Sequence, residues 1–184
     1  MARVYIGIGS NLNREYSLAF GLEFIEQLVG SLTRSAIYRS EAVGFNGPDF
    51  YNLVAGFNTT LELADLGLKL REIEYRCGRP QNAKKCSSRT LDIDILLYDR
   101  VVCESPYCLP RPEICFNAFV LRPLAEIAGE FIHPQTGLSL VQMWQQLAVD
   151  AIPLTRIDDS FLTNLSNFYD YNARHLSFPY SGAY

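Results

Sequence analysis

Asp92 and Asp94 stand two residues apart in Arg89-Thr90-Leu91-Asp92-Ile93-Asp94-Ile95-Leu96-Leu97, a run whose polar and apolar residues alternate as in a β-strand. A strand sends successive side chains to opposite faces, so Leu91, Ile93 and Ile95 share a core face and the two acids share the other. Carboxylates side by side repel, and each becomes harder to ionise. Cations between them relieve that cost, and hard divalent ions such as magnesium take oxygen ligands of this kind. Arg89 and Thr90 add a cation and a hydroxyl at the same end, which suits a polyphosphate. The competing reading of the pair alone is a solvated strand face.

A second run, the glycine-bearing Gly7-Ile8-Gly9-Ser10-Asn11, follows a strand and precedes a helix. The third glycine of a dinucleotide-binding loop is missing, since Leu12 takes its place, and no parallel βαβ unit with a suitably placed acid follows. A tight turn of small residues is the reading that remains.

The elements that must position these groups follow from periodicity. A buried strand spans 4–9, and apolar Leu18, Leu22, Ile25 and Leu28 repeat at helical spacing up to Gly30. Strands over 32–38 and 50–60 flank a loop at 44–48, and a second amphipathic helix covers 63–75 and ends at Gly78. A basic loop at 79–88 leads to the acid-bearing strand, 91–98, with a short strand at 101–102 after it. Further helices are expected over 119–128 and 138–147. The order strand, helix, strand, strand, helix, strand predicts an α+β fold, the ferredoxin-like split βαβ, with an antiparallel sheet and helices on one face. The 184 residues fit a single domain, 1–149, and a Tyr-, Phe-, Asn- and Ser-rich extension, 150–184.

A net charge of −4 argues against nucleic acid or an anionic membrane as partner. No apolar run is long enough to span a bilayer, and the strand beginning beside Arg3 leaves no room for a signal peptide. Five cysteines without a C-x-x-C pair, and two distant histidines, disfavour a zinc site or a disulfide framework. A soluble, cytoplasmic protein is the expectation.

Four segments, 5–12, 48–52, 89–96 and 119–127, reading YIGIGSNL, PDFYN, RTLDIDIL and FVLRPLAEI, occur in an order and spacing that resemble the 6-hydroxymethyl-7,8-dihydropterin pyrophosphokinase family across about residues 3–147. The resemblance implies transfer of diphosphate from ATP to the hydroxymethyl group of a reduced pterin, with release of AMP, in folate biosynthesis. It implies that Asp92 and Asp94 hold two magnesium ions between ATP and the pterin hydroxyl, with Arg89 beside them. It implies that Asn52 reads the pterin edge, an amide offering donor and acceptor together. Phe119 would stack on the pterin, and Val43 and Gly44 would line its pocket. Glu74, Arg79, Arg89, Thr90, Ile95 and Arg111 would surround the nucleotide.

The chain departs from that family on the triphosphate side. Arg111 replaces a histidine and Asn117 an arginine, Gln81 stands for a loop arginine, and Cys86-Ser87-Ser88 replaces Trp-Gly-Pro. Losing the guanidinium at 117 removes a bidentate phosphate grip, while Lys84, Lys85 and Arg111 keep positive charge nearby. An alternative of another class is therefore an inactive paralogue that binds pterin or nucleotide and acts through a protein partner, using the aromatic tail. An RNA-recognition module fails on charge and on the absence of its aromatic pattern.

Overall fold

The computed structural model describes residues 1–80, 82, 87–149, 151 and 154–163. Its central sheet comprises β1 (Ala2–Ser10), β2 (Thr33–Arg34), β3 (Ile37–Ser40), β4 (Phe50–Thr59), β5 (Asp92–Tyr98) and β6 (Thr155–Ile157). Four helices accompany it: α1 (Arg14–Val29), α2 (Leu63–Arg76), α3 (Ala118–Ala128) and α4 (Leu140–Leu147). The strands run in the order β5-β1-β4-β3-β6, all pairings antiparallel, with β2 also on β4. Taking β2 and β3 as one interrupted second strand, the first four positions are those of the expected split βαβ fold.

The interruption at Ser35–Ala36 is satisfied locally and from α3. Ser35 Oγ accepts from Val54 N–H at 3.0 Å, and Glu126 accepts from Ala36 N–H at 3.0 Å and from the Tyr38 hydroxyl at 2.9 Å. Glu126, near the end of the FVLRPLAEI run, thus pins α3 to the sheet.

Helices cover both faces of the sheet, not the single face expected. Val4, Ile6 and Ile8 of β1, Leu53, Ala55 and Phe57 of β4, and Ile93 and Ile95 of β5 pack under α1 and α2. Tyr5, Val54, Leu96 and Leu97 meet α3 and α4 on the other side. The reason lies in the strands, which are apolar on both faces and so need two covers. Leu96 and Leu97 share a face because the β1–β5 register slips between Tyr5 and Ile6, leaving Leu96 as an extra residue in β5.

Other boundaries shift as well. The first helix starts at Arg14 and not at 18, since the turn before it carries polar residues that hide the pattern. No strand forms at 101–102; Cys103 pairs instead with Leu109 in an isolated bridge. From the segment assigned to the extension, β6 pairs with β3 and the buried Phe161 joins the α1–α2 core, so its first part belongs to the sheet. Residues 164–184, including the aromatic tail, lie outside the described residues. Among the described residues no helix is long and apolar enough to cross a membrane.

Candidate active site

The glycines of the Gly7-Ile8-Gly9 run lie inside β1 and form no turn. On the α3 side of the sheet they leave bare backbone where Tyr5, two residues earlier, fills the space. A cavity of about 210 Å³ opens there, lined by Gly9, Ser40, Val43, Phe45, Phe50, Asn52, Arg89, Asp92, Asp94, Leu96 and Phe119. Gly9 lies opposite Asn52 in β4 and opposite Asp92 in β5, so one residue centres the site.

Loop geometry around the cavity is set by Asn11, which follows β1. Its buried amide donates to Pro48 O at 3.1 Å and to Ser88 Oγ at 3.2 Å and accepts from Arg89 N–H at 2.7 Å. Asn11 and Leu12 N–H both donate to Arg89 O. The loop before β4 and the segment carrying Arg89 are thereby tied to the end of β1. Arg14 adds to this, donating to Asp49 O at 2.9 Å while lying over the Tyr51 ring.

Asp92 and Asp94 project from β5 into the cavity, opposite Ile93 and Ile95, as the alternation predicted. Asp92 is paired with Arg79 and, at 3.6 Å, with Arg89. Asp94 meets Arg111 at 3.1 Å, and Arg111 also meets Glu113 at 3.1 Å. Burial against the cavity wall raises the Asp94 carboxyl above its ordinary range; Arg111 opposes this, while Asp92 and Glu113 add to it. The donor set fits a hard divalent ion. Both carboxylates share one strand face, and among the described residues no third Asp, Glu, His or Cys gathers with them. Polyphosphate oxygens and water would complete the shell, the usual arrangement for magnesium.

Glu74 lies beneath β5, only 1 % exposed, off the cavity lining. Its Oε1 accepts from Ile93 N–H at 2.8 Å and from Arg79 at 2.7 Å, and Arg71 stands 2.7 Å from Oε2. Burial pushes its carboxyl up to about 7 against the pull of those partners. Its place in the molecule is to carry Arg79 to Asp92. Thr90 is close by, with a buried hydroxyl that has no partner among the described residues.

Asn52, Phe119, Val43, Arg89, Asp92 and Asp94 therefore converge on one cavity. Arg79 and Arg111 reach it through the two acids. Gly44, at φ 82°, is exposed beside Val43 and off the lining. Ile95 is not brought to the site: its side chain is 5 % exposed and faces the α1–α2 core, as the strand alternation requires. Asn117 borders a neighbouring hollow of about 590 Å³ that shares Ser40, Glu41, Val43 and Phe119 with the first. Gln81, Lys84, Lys85 and Cys86 lie outside the described residues. Sequence reasoning missed Ser40, Phe45, Phe50 and the positioning roles of Gly9 and Asn11; only the small-residue run in β1 carried a signal.

A family model described as 7,8-dihydro-6-hydroxymethylpterin-pyrophosphokinase matches residues 5–129. A 2-amino-4-hydroxy-6-hydroxymethyldihydropteridine pyrophosphokinase of Porphyromonas gingivalis is 38% identical over 144 residues, 73% of this chain and 96% of its own length. One of Aquifex aeolicus is 36% identical over 137 residues, 73% of this chain and 85% of that one. The folic acid synthesis protein fol1 of Pneumocystis carinii is 35% identical over 78% of this chain, which spans only 20% of that longer protein. Among solved structures, Plasmodium falciparum HPPK-DHPS superimposes with a TM-score of 0.61 over 79% of this chain and 43% of its own, at 12% identity, a likeness of fold.

Proposed function

The chain belongs to the 7,8-dihydro-6-hydroxymethylpterin-pyrophosphokinase family, and we propose that it transfers the terminal diphosphate of ATP to the hydroxymethyl oxygen of 6-hydroxymethyl-7,8-dihydropterin. The pterin hydroxyl oxygen attacks the β-phosphorus and gives up its proton to solvent, the bond to the α,β-bridging oxygen breaks, and AMP leaves. Such a transfer asks the protein mainly to align donor and acceptor and to neutralise charge.

The observation that carries this reading is the meeting of Asn52 and Phe119 with Asp92 and Asp94 in one cavity. Asn52 and Phe119 supply an amide edge and an aromatic face for a flat heterocycle. Val43 borders that end, with Gly44 exposed beside it. Asp92 and Asp94 are the residues that would hold two magnesium ions. When bound, such ions would neutralise charge on the phosphate oxygens. Arg89, Arg79 and Arg111 then have phosphate as an alternative partner to the acids they now pair with.

We take residues 1–149 as the unit that carries the reaction and 150–184 as its extension, with β6 completing the sheet. The unpaired Cys77, Cys103, Cys108 and Cys115 suit a reducing cytoplasm.

The test is direct. With ATP, magnesium and 6-hydroxymethyl-7,8-dihydropterin, the protein should form AMP and the pterin diphosphate in equal amounts. AMP at the no-enzyme level, even at high protein concentration, would reject the reaction and favour a non-catalytic pterin-binding or nucleotide-binding paralogue.

A further inference from the structure

The ion pairs around the two strand acids fall into two unequal groups. Asp92 and Glu74 share three guanidinium groups, those of Arg71, Arg79 and Arg89. Asp94 and Glu113 share that of Arg111. Among these residues the first group has a surplus of positive charge and the second a surplus of negative charge. Arg111 is set in place by its main chain. Its N–H donates to O of Leu96, the extra residue of β5, at 2.9 Å, and its O accepts from Ile114 N–H at 3.1 Å. Its side chain is 31 % exposed, so the guanidinium can turn without unpacking the core.

We propose that Arg111 is the resident counter-ion of Asp94, which an arriving divalent ion displaces and which the nucleotide phosphates then receive. The inference rests on Asp94 being a metal ligand, as read above. An ion entering alone must break the guanidinium–carboxylate pair and leaves Arg111 with Glu113 only. A polyphosphate arriving with it gives the guanidinium fork a new bidentate partner. Metal and nucleotide therefore strengthen one another's binding, and by linkage each does so equally.

Manganese binding to the full chain, followed by the electron paramagnetic resonance of free Mn²⁺, tests this without turnover. In the absence of nucleotide, Arg111→Gln should bind Mn²⁺ about tenfold more tightly than wild type. With a non-hydrolysable ATP analogue, the same variant should show a smaller mutual reinforcement than wild type, the direct ligation of the metal by phosphate being kept. Arg111→Lys keeps the charge without the fork and should fall between the two. Arg71→Gln, which removes an equal charge that pairs with Glu74 and reaches Asp94 only at longer range, should give a clearly smaller gain than Arg111→Gln. Unchanged nucleotide-free affinity in both Arg111 variants, or an Arg71→Gln gain equal to that of Arg111→Gln, overturns the inference alone. Should Asp94→Asn bind Mn²⁺ as wild type does with the analogue present, the metal reading itself fails and takes the inference with it.

Discussion

Gly9 and Asn52 face each other across the β1–β4 pair, and a methyl group on Gly9 would come to rest 3.0 Å from Asn52 Oδ1. The absence of a side chain at Gly9 is thus what leaves room for the amide, which Ser40 holds from the other side by accepting from Nδ2 at 2.9 Å. Gly9→Ala should displace the amide and leave the sheet intact, because the obstructing atom is a side chain in contact with the cavity. The expected result is a KM for the pterin raised about tenfold with little change in melting temperature. Ser40→Ala should raise it less, about fivefold, the worth of one hydrogen bond. Calorimetric titration with the pterin checks both; unchanged affinity in Gly9→Ala would remove Asn52 from pterin recognition.

Asp94→Asn keeps the shape of the side chain and removes the charge that a divalent ion needs. It should lower kcat at least about 10²-fold, since a bound metal ion contributes several kcal/mol to charge stabilisation. The melting temperature should hold or rise, as Asp94 is raised by burial and crowded by Asp92 and Glu113. Residual turnover near wild type would locate the metal chemistry elsewhere.

What the sequence disclosed about this site and what it concealed have physical causes. The alternation from Leu91 to Ile95 placed the acids and the core correctly because a strand's period of two is local. Ile95 shows the limit: the same alternation turns it into the core, away from the place the family resemblance implied. The role of Asn11 was hidden, since its partners, Pro48, Ser88 and Arg89, are distant along the chain. The second helical layer escaped because Tyr5, Val54 and Leu97 form an apolar face only once three strands lie side by side. Nothing in the composition of 155–157 reveals an edge strand; its partner, β3, selects it.

Glu74 gives stability a pH dependence of its own. Its folded value of about 7 stands above its ordinary 4.5, so the native state binds this proton more tightly than the unfolded chain. Relative to Glu74→Gln, wild type should therefore lose stability as pH rises from about 4.5 through about 7 and level off above. The whole change is about 3 kcal/mol at most. Urea unfolding of both proteins at pH 4.5, 6 and 8 measures it. A difference that is flat, or that grows with pH, would mean that Arg71 and Arg79 already keep the buried carboxylate charged.

His133 should act in the opposite direction. It is 0 % exposed, its Nδ1 accepts from Thr136 N–H at 3.3 Å, and its Nε2 has no partner among the described residues. Burial holds its pKa below the ordinary 6.5, so the unfolded chain takes up the proton first. Stability supplied by neutral His133 is complete above pH 6.5 and declines as pH falls from there toward the folded value. His133→Asn offers an Oδ1 to the same Thr136 N–H and cannot be protonated in this range. It should cost about 1–3 kcal/mol at pH 8, chiefly through lost packing and an unpartnered amide N–H. That cost should shrink on acidification, because only wild type has an imidazole that protonates more readily on unfolding. Unfolding curves at pH 8 and 5.5 decide the matter: a cost that stays constant, or grows, means the imidazole charges as easily in the fold as out of it.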